Sequence, residues 1–203
     1  MLKLYDFFES GNCYKVRWLL SALDIPFTCI PVDILKAETR TDNFLKLNPN
    51  HRVPVLEWPD GRTLAESNAI LFYLAEGTPL LPADPWQRAQ ILQWLFFEQY
   101  SHEPYIAVVR FWHFSGTADE HADELEGRMA RGYEALGVMD AHLTGRDYFV
   151  GANISIADLA LFAYTHVAPE GGFDLQPYPA VCAWIERIEQ RPDHLKITEP
   201  AGQ

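Results

Sequence analysis

Apolar residues change their spacing several times along the first third of the chain, and each change marks an element. Leu2 to Phe7 alternates loosely and is apolar enough for a buried strand. Glu9-Ser10-Gly11-Asn12 is a loop, and Val16, Leu19, Leu20 and Leu23 then recur at helical spacing, predicting a helix from about Cys13 to Leu23. Pro26 to Val32 supplies a second strand; a helical crossover between two buried strands implies parallel pairing and a right-handed connection. A polar segment, Lys36 to Thr41, precedes a short helix around Thr41–Leu47. The stretch from Asn48 to Glu76 then reads as a turn at Val53-Pro54, a strand at Val55-Leu56, a two-residue hairpin at Asp60-Gly61 and a strand at Thr63-Leu64. An amphipathic helix opens at Glu66-Ser67, with Ser67 as its expected N-cap. The order β-α-β-α-β-β-α predicts a thioredoxin-like α/β domain over residues 1–77, with four strands in one mixed sheet.

Gly77 to Pro85 carries three prolines in nine residues, which marks a linker and a domain boundary. Beyond it the spacing is helical, predicting an all-helical domain over residues 86–203. Trp86 to Phe114 carries an apolar stripe (Ile91, Leu92, Leu95, Phe96) with an interruption at Pro104, where a proline must kink or end the helix. Asp119 to His142 is a more polar helix with Leu125, Met129, Leu136 and Met139 inward. Ser155-Ile156-Ala157-Asp158 is a capping box with aspartate in the third helical position, and Ile154 with Leu159 sits at the spacing of a hydrophobic staple. The helix it opens has no polar face and must be buried. A last helix spans Tyr178 to Arg191.

Composition narrows the chemistry. Of 203 residues 48% are hydrophobic, with 12 Phe, 9 Tyr and 6 Trp, so a packed core is expected and disorder is not. The formal charge of −12, without a cluster of lysine or arginine, argues against nucleic acid, whose binding is dominated by phosphate neutralisation. Any bound anion must then be held by local dipoles and a few cations. Cys13, Cys29 and Cys182 form no closely spaced pair, and their odd number suggests reduced thiols of a cytoplasmic protein. The first ten residues hold too short an apolar run for a signal peptide, and no segment approaches membrane-spanning length. A soluble cytoplasmic chain that binds no membrane is the expectation.

Four pieces of the sequence together resemble the cytosolic glutathione transferases, of the bacterial, theta-like, serine-type kind. They are Ser10-Gly11-Asn12-Cys13 after the first strand, Asn48-Pro49-Asn50-His51-Arg52-Val53-Pro54, Glu66-Ser67, and Ser155-Ile156-Ala157-Asp158. The resemblance covers the chain end to end and implies glutathione as co-substrate, a homodimer, and no metal. It implies that Val53 offers its backbone to the cysteinyl part of glutathione beside a cis Pro54, as a strand pairs with an edge. Glu66 and Ser67 match the clamp for the γ-glutamyl end, where the helix N-terminus meets the carboxylate. His51, with Arg52 beside it, matches the position that holds the glycyl carboxylate.

The chemistry implied is activation of a thiol. A free thiol of pKa ~8.5 is mostly protonated at neutral pH, so a donor that lowers this value raises the concentration of nucleophile directly. Ser10 stands at the serine position of the theta-like classes, and its hydroxyl can donate to a sulfur anion. Asn12 is a second candidate donor. Tyr5, the donor type of other classes, falls inside the first strand and reads as core. Cys13 is the sharpest rival: serine at 10 and cysteine at 13 overlay the C-x-x-C spacing of redox enzymes with the first, attacking cysteine replaced. An electrophile pocket is expected on the kinked segment, with Tyr105, Val109, Phe111 and Trp112 as its apolar wall. Glu98 and Gln99 are candidates to reach the glutathione of a partner subunit.

The function so implied is conjugation of the glutathione thiolate to a small hydrophobic electrophile, a detoxification chemistry. Two alternatives stand beside it. Lys15-Val16-Arg17 after Ser10 resembles the zeta class, glutathione-dependent isomerases of maleylacetoacetate. Its Ser-Ser-Cys run falls here on Ser10-Gly11-Asn12, and Glu66 replaces its glutamine. The other alternative is a non-catalytic regulatory or ligand-binding module.

Overall fold

The structure, a computed structural model, describes residues 1–202. The chain divides into two compact units, one formed by Met1–Glu76 together with the chain from Pro192 onward, the other by Gly77–Arg191.

In the first unit, β1 (Leu2–Asp6), α1 (Gly11–Ala22) and β2 (Phe27–Pro31) form the expected crossover, with β1 and β2 parallel and Leu4 opposite Cys29. After the short α2 (Asp42–Leu45), β3 (Val55–Glu57) runs antiparallel to β1, and β4 (Thr63–Ala65) antiparallel to β3. The sheet order is β2-β1-β3-β4, and α3 (Ser67–Leu74) follows. Side chains alternate across this sheet. Leu4 and Leu56 join Val16 and Leu20 of α1 and Ile70 of α3 on one face, while Val55 packs with Val32 and Phe44 on the other.

Two local expectations shift. The hairpin is longer than two residues, because Trp58 donates to the Arg62 carbonyl (2.9 Å) and leaves Pro59-Asp60-Gly61 as the tip. Pro59 has no N–H to extend the ladder, and Gly61 takes the positive φ of 85° that the turn needs. The N-cap of α3 is Glu66, not Ser67, which is the first helical residue.

The second unit is helical: α4 (Pro85–Phe97), α5 (Glu103–Ser115), α6 (Ala122–Leu143), α7 (Ile156–Thr165) and α8 (Pro179–Glu189). Between α4 and α5 the backbone widens into a turn of π-helix, Glu98–His102, so Pro104 lies in the first turn of α5. A proline there needs no amide of its own, and the wide turn before it accommodates its ring. Every residue of α7 is buried. Its capping residue Asp158 is fully buried and accepts from Phe149 N (3.0 Å), Ser155 N (2.8 Å), Ser155 Oγ (2.9 Å) and Trp184 Nε1 (3.1 Å). Burial raises its pKa, and these four donors oppose the shift. No helix among the described residues is long and apolar enough to cross a membrane.

Candidate functional site

The first unit brings the starts of two helices together. Ser10 is the N-cap of α1 in extended geometry (φ −74°, ψ 122°), and its Oγ accepts from the Cys13 N–H at 3.3 Å. Asn12, in the first turn, accepts at Oδ1 from the Ser67 hydroxyl at 3.0 Å. Ser67 opens α3 and is 5% exposed. No side-chain bond from the cap residue closes that helix, and the Ser67 N–H has no partner among the described residues.

Glu66 sits at φ 66°, ψ 107°, a region that non-glycine residues rarely occupy. Its carboxylate is exposed and takes a long bond, 3.4 Å, from Asn50 Nδ2. His51 has a positive φ of 56°, and its Nδ1 is buried without a hydrogen-bond partner among the described residues. Such backbone costs of order 1–3 kcal/mol per residue and gathers at ligand clamps. Between these two residues the Val53-Pro54 peptide is cis, as expected. Pro54 is buried, and Val53 is partly exposed with neither backbone group paired among the described residues. Unmade backbone bonds of that kind are an edge to which an extended peptide adds. Arg52 is exposed; its carbonyl accepts from Asn48 Nδ2 (2.8 Å), which ties the turn down.

The rivals for thiol activation separate. Cys13 is completely buried and accepts from the Phe7 N–H at 3.5 Å. Burial pushes its thiol far up, the Asp6 carboxylate adds to this, and the Phe7 N–H, the Ser10 hydroxyl and Arg17 only oppose it. A thiol that stays protonated and unreachable is not a nucleophile. Tyr5 is partly buried and packs against the core cluster of Val32, Phe44 and Val55; its hydroxyl donates to Glu57 Oε2 at 2.6 Å, and its pKa is pushed up to about 12 by burial and then by that bond.

The second unit sorts the proposed pocket wall. Val109 is fully buried and Trp112 is 7% exposed, the latter stacked on the His121 ring with the Arg128 guanidinium beside it. Both are spent on packing, whereas Phe111 is 38% exposed and Tyr105 partly so. Glu98 is buried, and Gln99 donates to both Glu98 (2.8 Å) and Glu103 (2.5 Å), so this pair is engaged within its own unit. No group of three or more His, Cys, Asp or Glu suited to a metal ion occurs among the described residues.

The conformations of His51 and Glu66 and the Asn12–Ser67 bond had no signal in the sequence. Each depends on where the chain goes next in space rather than on residue type.

Both units match known proteins. Residues 1–76 match the family model for the glutathione S-transferase N-terminal domain, and residues 90–192 match that for its C-terminal domain. A glutathione S-transferase from Pseudomonas fluorescens is 50% identical with a TM-score of 0.95, covering 98% of this chain and 99% of that one. A glutathione transferase from Pseudomonas putida, with one glutathione disulfide bound per subunit, is 30% identical with a TM-score of 0.84, over 95% of this chain and 88% of that one. Disulfide-bond oxidoreductase YfcG of Escherichia coli is 31% identical over 95% of this chain and 92% of its own length.

Proposed function

This chain belongs to the glutathione S-transferase family in both of its units, and on that premise we propose that it conjugates the glutathione thiolate to a small apolar electrophile. One observation carries the reading: the Ser67 hydroxyl bonded to Asn12 at 3.0 Å, which joins the open start of α3 to the start of α1. The first can hold the γ-glutamyl carboxylate, and the second places the Ser10 hydroxyl for a thiolate. Val53 pairs with the cysteinyl backbone, Glu66 accepts from the α-amine, and His51 with Arg52 takes the glycyl carboxylate.

The step is a displacement. Ser10 donates a hydrogen bond to the thiolate, the sulfur lone pair forms a bond to carbon, and the leaving group departs with its electron pair. The rate gain is thiol ionisation together with fixed orientation. Phe111, exposed, and Tyr105, partly exposed, are assigned to the electrophile. The exposed face of α4 and the turn after it carry Trp86, Leu92, Phe96 and Tyr100 and no charge. On a chain of net charge −12 such a face suits a second copy, and a homodimer is part of the proposal.

Turnover with glutathione on three substrates tests it: a halonitroarene, maleylacetoacetate, and a mixed disulfide of glutathione. Conjugation with release of halide is the expected result. Isomerisation alone would move the chain to the zeta reaction, and disulfide reduction alone to the chemistry named for the E. coli relative. Binding to immobilised glutathione without any turnover would make it a carrier.

A further inference from the structure

The chain from Pro192 onward leaves the last helix and lies along α1. Three α1 side chains donate to it: Trp18 Nε1 to the Asp193 carbonyl (2.7 Å), Tyr14 Oη to that of Leu195 (2.6 Å) and Arg17 to that of Ile197 (3.5 Å). Positions 14, 17 and 18 share one helix face, and their acceptors are the carbonyls of residues 195, 197 and 193. A helical spacing of donors thus meets a period-two spacing of acceptors. All three side chains are at most 1% exposed. The His194 ring stands edge-on to Trp18 at 5.3 Å.

Further on, Ala201 packs against the cluster of Leu4, Val16, Leu20 and Phe27, and its carbonyl accepts from the Cys29 thiol at 3.3 Å. Gly202 has φ +87°, and a Cβ there would come within 3.0 Å of the Phe27 ring and carbonyl. Glycine is favoured there by conformation and by space alike.

Arg17 connects this segment to the start of α1. Besides the Ile197 carbonyl it holds the Asp6 carboxylate at 2.5 Å and the Phe8 carbonyl at 2.8 Å. Phe8 lies in the loop that delivers Ser10. The anchored turn of α1 begins two residues after Asn12.

We propose that residues 192–202 are a strap that sets α1, making Tyr14, Arg17 and Trp18 positioning residues for the Ser10–Asn12 side of the glutathione site. The proposal rests on the glutathione reading above. By linkage, whatever factor the seated strap adds to glutathione affinity, bound glutathione adds to the seating of the strap.

The test is the full-length Tyr14→Phe/Trp18→Phe chain, which keeps two aromatic rings and loses two donors, with Tyr14→Phe alone as the milder variant should the pair not fold. The glutathione dissociation constant and KM should rise about fivefold, ~1 kcal/mol, with kcat within about twofold because the chemistry is untouched. Amide exchange at Asn12 to Lys15 should quicken, and saturating glutathione should slow tryptic cleavage after Lys196 in the unsubstituted protein. A variant whose Lys196 bond is cut faster while its glutathione affinity is unchanged overturns the proposal, leaving the strap as packing alone. Unchanged exchange in the first turn of α1 overturns it equally. An unsubstituted chain that binds no glutathione sinks the transferase reading instead, and the exchange result still decides whether the strap sets α1.

Discussion

On the proposed function Ser10 has two separable duties, helix cap and thiolate donor, and replacing it in three ways pulls them apart. Its Oγ accepts from the Cys13 N–H at 3.3 Å, which uses an acceptor site and leaves the hydroxyl hydrogen able to turn toward a thiolate. A hydrogen bond to a charged group contributes ~1.5–3 kcal/mol. At 1.36 kcal/mol per unit, its loss raises the bound thiol's pKa by ~1–2 units; if the value returns to ~8.5, the thiolate fraction at neutral pH falls about eightfold to twenty-fivefold. The capping duty has a different scale: alanine at an N-cap costs ~1 kcal/mol and glycine only a few tenths. Ser10→Gly should therefore fold almost as stably as the parent and lose most of its turnover. Ser10→Ala should lose the same turnover and ~1 kcal/mol of stability besides, while Ser10→Thr keeps both. The assay is conjugation rate against pH for each variant, beside urea midpoints. Parental turnover and an unmoved pH profile in Ser10→Gly would refute the reasoning, reduce Ser10 to a cap and pass the donor role to Asn12.

Two further outcomes follow from buried groups. Cys13→Ala should turn over at close to the parental rate. Since the Cys13 pKa is raised above its ordinary 9.0, its stabilising effect is complete below the unfolded value and is lost as pH rises, so the substitution should flatten the alkaline loss of stability. Parallel loss in both proteins, followed by denaturant midpoint against pH, would show that the thiol is not its source. Asp158→Ala removes the acceptor for four bonds and should cost ~3–5 kcal/mol, as for a buried charge network left with orphaned donors. Calorimetry showing a loss below ~1 kcal/mol would mean that water replaces the carboxylate.

Strands, helices and the capping box were legible because they rest on short-range signals: apolar period, Pro and Gly, and Ser155 three residues before Asp158. The misses share a cause. Pro59 lengthened the hairpin, and Pro104 moved the helix break into the π-turn before it, because a proline also acts through the backbone next to it. Ser67 looks like a cap by type, but the positive φ of Glu66 starts the helix one residue earlier. The strap was illegible for a different reason. Its side of the contact is made of carbonyls, which every sequence has; of its donors, Tyr14 and Trp18 carry no signal of their own, and Arg17 stands out only as part of the run Lys15-Val16-Arg17.

If the chain binds glutathione as proposed, these placements also answer how a protein of net charge −12 would hold a peptide with two carboxylates. The overall field opposes the ligand, so the attraction must be short-ranged and shielded from solvent. Two helix starts meet at the Asn12–Ser67 bond, each equivalent to roughly half a positive charge. Behind them Lys15, fully buried, donates to Asn68 in the first turn of α3 at 3.2 Å. Arg17 is paired with Asp6 and contributes little net charge. A dipole or cation inside the protein is screened far less by salt than a surface charge, and it needs no reorganisation when the ligand arrives. The repulsive surface slows encounter with anions in general. On the proposed function, selectivity then falls to the unpaired Val53 backbone and the buried His51 Nδ1, which a small inorganic anion cannot satisfy together and an extended tripeptide can.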